Sequence, residues 1–296
     1  MSPAEGLTST ARTRNLTQET RGRSDWPELP LRPAPSARRW LAPGREISSA
    51  ARWVLRTVSV LAPLGAWVAL SATKTVDPTF LPSPVAVWQA GVEMARSGEL
   101  LTDTMASVRR VLFGFGLALA ISVPLGFAMG IWRWALALLE PAVGLVRYWP
   151  ASAFVPLLII WLGLGEPSKL MVLVLGVVFF NILMVADVVR QVPRRLLEVS
   201  STLGAGPGVL IRKVILPHAL PGIIDAARVN AAAAWNFLVI AELFAATSGL
   251  GYRIIRSQRF LQTDRIFAVL VVIGVIGIVM DVGLRLLRDR VGRWTV

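Results

Sequence analysis

The chain has no cysteine, a single histidine (His218) and only three lysines (Lys74, Lys169 and Lys213) in 296 residues. Without cysteine there is no disulfide framework, no thiolate metal site and no thiol nucleophile. One histidine cannot build the paired-imidazole H-E-x-x-H zinc site, and no G-x-S-x-G nucleophile turn occurs. His218, directly after Leu216-Pro217, reads as a surface or capping residue. The G-x-x-x-x-G-K-[ST] loop that cradles nucleotide phosphates is also missing. No carboxylates group with metal spacing. We therefore expect no enzyme, no metal and no cofactor. Residues 1–56 hold no apolar stretch, so no cleaved leader is expected there.

Long apolar runs are what the chain does have. Hydrophobic residues make up 54% of it and the mean hydropathy is +0.61, above the range of ordinary soluble domains. Uncharged runs at 57–73, 111–132, 148–165 and 170–186 each approach the ~20 residues that cross ~30 Å of hydrocarbon as a helix. A fifth at 229–247 is interrupted only by Glu242, and a sixth at 266–284 carries Asp281 near its end. The reading is an all-α polytopic membrane protein with six transmembrane helices, each satisfying its own backbone. Residues 51–296 form one membrane domain. Residues 1–50, rich in Pro, Ser, Thr and Arg, read as a disordered basic tail.

Charge sets the expected orientation. The net charge is +13, but the cations do not gather on one basic face, which argues against nucleic acid as a partner. Ten arginines oppose five acidic residues in 1–56, and four oppose one from Arg285 onward. The positive-inside rule then puts both termini in the cytoplasm, and the long polar loop at about 187–225 falls on the same side. One external loop dissents: 248–265 holds Arg253, Arg256, Arg259 and Arg265 against Asp264. Either a short loop tolerates the excess, or these arginines form an electropositive mouth for an anion or an acidic partner.

Local signals place further elements. Ser83 can cap and Pro84 can start a helix ending at Ser97-Gly98, with Val85, Trp88, Val92 and Ala95 on one face; it reads as an interfacial helix on the outer surface. Gly126 and Gly130, in GxxxG spacing, predict close helix packing rather than a ligand role, and Pro124 a kink. Within the polar loop, Pro193 stands where a first helical residue would, with Arg194–Leu203 continuing and Gly204 supplying a left-handed stop. Gly206-Pro207 opens a second short helix ending at Leu216-Pro217, and Pro221 starts the next.

Glu198-Val-Ser-Ser-Thr-Leu-Gly204, followed by Val214-Ile-Leu216-Pro217, resembles the EAA loop in the membrane subunits of bacterial ABC importers. Glu198, Gly204, Leu216 and Pro217 match in identity and spacing. Val199 and Ser200 stand where that family usually has two alanines, and Val214 where it usually has isoleucine. Leu81-Pro82-Ser83-Pro84, Ser248-Gly249-Leu250-Gly251-Tyr252 and Phe260-Leu261-Gln262-Thr263-Asp264 extend the resemblance over about 81–288. They point to the branch serving nitrate, taurine, other sulfonates and bicarbonate. Arg147 to Pro156 with Trp161 to Glu166 leans toward its nitrate- and bicarbonate-like members.

The resemblance implies a type I ABC importer permease-like core in the inner membrane, importing a small anion. It implies Glu198 and its helix as the docking element for a separate ABC ATPase subunit, which binds the ATP. Arg194 and Arg195 beside that helix either pair with acidic residues there or remain solvated. It also implies a second permease copy, more readily identical than different, and an external solute-binding protein. The rivals are a secondary transporter or channel with no ATPase, and a membrane-anchored nucleic-acid binder using the basic tail.

Polar groups inside apolar spans are costly, by at least ~2.5 kcal/mol for an ionised one, so they mark paths or pairs. Ser152, Asn181, Trp235, Asn236 and Glu242 are the candidates for the translocation pathway. The alternative reading pairs Glu242 with an arginine such as Arg253 or Arg109, while Asn181 and Asn236 tie helices together.

Overall fold

The structure, a computed structural model, describes residues 47–73 and 75–293. The expected disordered tail therefore lies almost wholly outside the described residues. Among them all regular structure is helical. The chain divides into two compact units, Met1–Leu61 and Ala62–Val296, with the boundary inside the first helix, α1 (Ser49–Ala72). In the first unit the described part of α1 exposes Trp53, Val54, Leu55, Val58, Val60 and Leu61, an apolar surface suited to lipid.

The second unit is built around three long helices: α3 (Glu99–Ile131), α6 (Glu166–Arg190) and α9 (Leu216–Ala245). α6 packs along both α3 and α9. Close approach of α3 and α6 follows from glycine: a Cβ on Gly126 would meet the Ile182 carbonyl and Val185, and one on Gly130 would meet Val189. The GxxxG expectation holds, and Pro124 sits inside an uninterrupted α3. At mid-depth the Asn181 amide donates to Ser122 Oγ at 2.6 Å and its Oδ1 accepts from Asn230 Nδ2 at 3.0 Å. All three side chains are buried, so one polar node ties α3, α6 and α9.

α2 (Pro84–Arg96) starts as expected, with Ser83 Oγ accepting from the Ala86 N–H, and stops before the left-handed Gly98. Val87, Ala90 and Met94 are buried, while Val85 and Trp88 point outward. α11 (Thr263–Val291) packs on α2 and α9, and Trp67 of α1 stacks on Phe267 with ring centroids 5.6 Å apart.

Five helices are long and apolar enough to cross a membrane, or six if one bent pair counts as a span. That pair replaces the straight third helix expected over 148–165. α4 (Arg133–Val146) and the segment made of a 3₁₀ turn (Ala151–Phe154) plus α5 (Val155–Leu162) meet at 78°. Pro150 disfavours helix at the residue before it and lacks an N–H of its own, so the ladder breaks there. The other spans run past the apolar runs that announced them. α3 begins twelve residues before Val111, because helices continue through the interface once the hydrocarbon is crossed.

Candidate functional site

Two polar ends of the second unit attract chemistry. At one end, α6 leads through Pro193 into α7 (Arg194–Thr202). α7 closes as the sequence predicts. The Ala205 N–H reaches the Ser200 carbonyl, the Gly204 N–H reaches that of Ser201, and Gly204 has φ +84°, a Schellman stop. No residue of α7 is buried. Glu198 and Val199 are exposed, and so are Leu196 and Leu203, the latter at 83%. Leu197 packs against the cluster around Val189 and Ile215, while Leu196 and Val199 stay exposed and present a surface for another molecule.

Beyond Gly204 the structure departs from the expected helix, stop and restart. The chain does not end a helix at Leu216-Pro217 and begin another at Pro221. α8 (Pro207–Val209) passes through π-helical turns at Leu210–Ile215 into α9, with the Leu216 N–H donating to the Ile211 carbonyl. The π register opens the ladder by one residue where Pro217 has no N–H to give. Residues Pro207–Phe244 thus form one span-length rod.

At the opposite end lies an ionic cluster. Arg110 on α3 uses all five of its donors. Nε and Nη2 fork onto the two oxygens of Glu166 at 2.7 and 2.8 Å; Nη1 donates to Glu242 Oε1 and the Ser248 carbonyl, each at 2.7 Å; Nη2 also reaches Ser248 Oγ at 3.1 Å. Glu242 further accepts from Ser107 Oγ at 2.8 Å and from the Gly251 N–H at 2.9 Å, and Lys169 Nζ lies 3.0 Å from Glu166. Beside it, Arg253 on α10 (Leu250–Arg259) pairs with Asp103 at 2.7 Å and Glu99 at 2.8 Å. Burial works to lower the pKa of Arg253, but the hydrogen bond and charge of Asp103, then those of Glu99, outweigh it and hold the guanidinium above its ordinary value.

The cluster exists to fix one loop. Asp103 accepts the Gly249 N–H and Ser107 accepts the Leu250 N–H, both at 2.8 Å. Gly249 has φ +118°, and a Cβ there would collide with the Glu242 carboxylate, so glycine is required twice over. An α-helix of 33 residues is ~50 Å long, and Glu99 to Arg110 occupy its first third. These charges precede the uncharged run that begins at Val111.

The five pathway candidates separate. Ser152 and Asn236 are exposed on the subunit surface. Asn181 is enclosed in the three-helix node, Trp235 is buried with its Nε1 unpartnered, and Glu242 is 1% exposed inside the ion cluster. Glu242 thus does not face open space in this subunit. It pairs with Arg110, not with Arg109 or Arg253, and the helix tie runs through Asn230, not Asn236. Sequence reasoning missed Arg110, Ser107, Asp103 and Asn230. The signal available was the period of three to four from Glu99 through Asp103 and Ser107 to Arg110, one polar face on an extended α3. The loop 248–265 is less electropositive than its count, since Arg253 is neutralised and Arg265 pairs with Glu93 at 3.1 Å. Arg256 and Arg259 remain exposed with no ion pair among the described residues.

The chain is similar to several known proteins. A probable ABC transporter permease protein of Brucella melitensis is 38% identical over 240 residues, covering 81% of this chain and 96% of that one. The taurine transport system permease protein TauC of Escherichia coli is 34% identical over 244 residues (80% and 88%). A riboflavin transport system permease protein of Chloroflexus aurantiacus is 34% identical over 223 residues (73% and 81%). In fold, the chain is similar to a membrane subunit in the inward-facing MetNI methionine ABC transporter, with a TM-score of 0.56 at 20% identity over 62% of this chain and 92% of that one. Residues 122–293 match the family described as binding-protein-dependent transport system inner membrane component, and the chain belongs to that family of multi-pass inner-membrane ABC importer permeases, which work with an ATPase and a solute-binding protein.

Proposed function

We propose that two identical copies of this chain form the membrane pathway of an importer for small oxyanions of the sulfonate class. Each copy receives mechanical work through α7. The observation that carries the reading is α7 itself, a well-capped helix on a rigid stop with Leu196, Val199 and Leu203 exposed and Glu198 free at its centre. Such a helix seats in a cleft of the ATPase and moves with it as a lever. ATP is held by that partner, and this chain needs no cofactor. The loop 187–225 and both termini face the cytoplasm, as the arginine counts favour. Glu198, Val199, Ser200 and Gly204 make the docking surface, with Leu216 and Pro217 joining it to the span.

Two features support the anion. Arg256 and Arg259 stand exposed and unpaired on α10, at the end where a binding protein delivers solute. The relative named for taurine transport supplies the sulfonate class over nitrate or bicarbonate. Ser152 and Asn236 are the pathway-lining groups in this reading, and Trp235, Asn181 and Glu242 stand behind them.

Reconstitution with its cognate ATPase and binding protein tests the proposal. We expect ATP-dependent uptake of labelled taurine or an alkanesulfonate, in preference to nitrate, bicarbonate and riboflavin. Uptake without nucleotide would replace the importer with a secondary transporter. Preference for a neutral solute would overturn the anion assignment alone.

A further inference from the structure

The α7 end of the bundle carries a cleft of about 430 Å³ between the α3–α4 corner and the α6–α7 corner. Arg133, Arg190 and Arg194 line it, and no acidic side chain does. Arg190 is paired with Asp187 at 2.6 Å, whereas Arg133 and Arg194 have no carboxylate partner among the described residues. Arg133 and Arg194 are also the first residues of α4 and α7, and neither helix has a side-chain cap or an acidic residue in its first turn. Their amide dipoles add to the positive potential of the arginines.

The remaining walls are apolar, Leu136 and Val189 among them. Trp132, at the cleft, stacks on Trp134 with ring centroids 6.1 Å apart, and both rings are exposed. Exposed indoles at the end of a span mark the level of lipid headgroups. A free inorganic anion has no use for an apolar floor, while a diacyl phospholipid needs one beneath its phosphate. From these observations we propose that the cleft seats the headgroup phosphate of an anionic phospholipid between Arg133, Arg190 and Arg194. Only the name of the leaflet, cytoplasmic, rests on the orientation proposed above.

The test uses the purified full chain in phosphatidylcholine nanodiscs, titrated with phosphatidylglycerol, with further phosphatidylcholine or with inorganic phosphate, and read by native mass spectrometry and thermal shift. Phosphatidylglycerol alone is expected to be retained, with affinity falling as salt rises. Arg133→Gln with Arg190→Gln should weaken it roughly thirty-fold, at about a tenfold-or-less loss per cation near an anionic surface. Arg133→Lys with Arg190→Lys, which keep the charge, should retain most of it. Equal retention of the two lipids, competition by inorganic phosphate at matching concentrations, or salt-independent binding in the unmodified chain would each overturn the site. None of these readouts involves uptake or the ATPase, so failure here leaves the transport reading untouched.

Discussion

The Glu242 carboxylate lies 2.7 Å from the Arg110 guanidinium, and both side chains are sealed from solvent. Removing Arg110 strands the Glu242 carboxylate, which has no other cation partner among the described residues, whereas removing Glu242 leaves Arg110 forked onto Glu166. Arg110→Ala should therefore cost about 3–5 kcal/mol, seen as a lowered unfolding midpoint of the detergent-solubilised chain. Ser107→Ala removes only a neutral donor to Glu242 and an acceptor for Leu250, and should cost about 1–3 kcal/mol. Equal midpoints for Arg110→Ala and the unmodified chain would mean that the cluster does not hold the fold.

Gly204 has open space around it, so only its backbone constrains the side chain. Gly204→Val should strain the left-handed stop by more than the ~1–2 kcal/mol that ordinary L-residues incur there, fraying α7 while α3, α6 and α9 stay intact. Gly204→Asn, which tolerates that region, should behave nearly as glycine does. The readout is ATPase co-purification: lost with Val and kept with Asn. Loss with both would point to the side chain rather than to the turn.

Glu198→Lys tests the docking face without touching the backbone. The side chain is exposed and has no ion pair among the described residues, so the midpoint should move by less than about 0.5 kcal/mol while ATPase capture falls. Retained capture and uptake would remove Glu198 from the docking surface.

Packing glycines should separate cleanly. Gly126→Leu drives a side chain into the Ile182 carbonyl and Val185 and should prevent the α3–α6 contact, lowering yield and midpoint. Gly116→Ala meets nothing within 4 Å and should be neutral or stabilise by roughly 0.5–1 kcal/mol. The comparison is made by thermal melts in one detergent.

Arg256→Glu with Arg259→Glu should slow uptake of an anionic solute most at low ionic strength, with the difference shrinking as salt rises. Arg253→Glu should instead destabilise the chain, because its guanidinium is committed to Asp103 and Glu99. A salt-independent defect in the double variant would assign Arg256 and Arg259 to contact with the binding protein rather than to steering.

The features legible in the sequence were the local ones. The caps of α2 and α7 were legible because Ser83, Pro84, Gly98, Pro193 and Gly204 act through their own backbone geometry. The GxxxG pair was legible because small size has one use in lipid. Membrane crossing was plain from composition, yet the extent of α3 was not, since Glu99, Asp103 and Arg110 look like loop until partners on α6, α9 and α10 neutralise them. The partner of Glu242 was unreadable for the same reason: Arg109 and Arg110 are neighbours in sequence, and only the helical phase of α3 selects one. The bend between α4 and α5 and the continuity past Pro217 both depend on how tertiary packing resolves a missing N–H, which sequence signals as a stop in either case.

Because the rod from Pro207 to Phe244 has no joint, it joins two rooms of the molecule with a single shaft ~57 Å long. Its lower end is coupled to the turn after Gly204, and its upper end holds Glu242, whose carboxylate grips the Gly251 amide. In the proposed orientation, twist applied beneath the bilayer should therefore reappear at the outer threshold, and a change at that threshold should travel back down. Communication between the two sides needs no relay of separate switches, only stiffness.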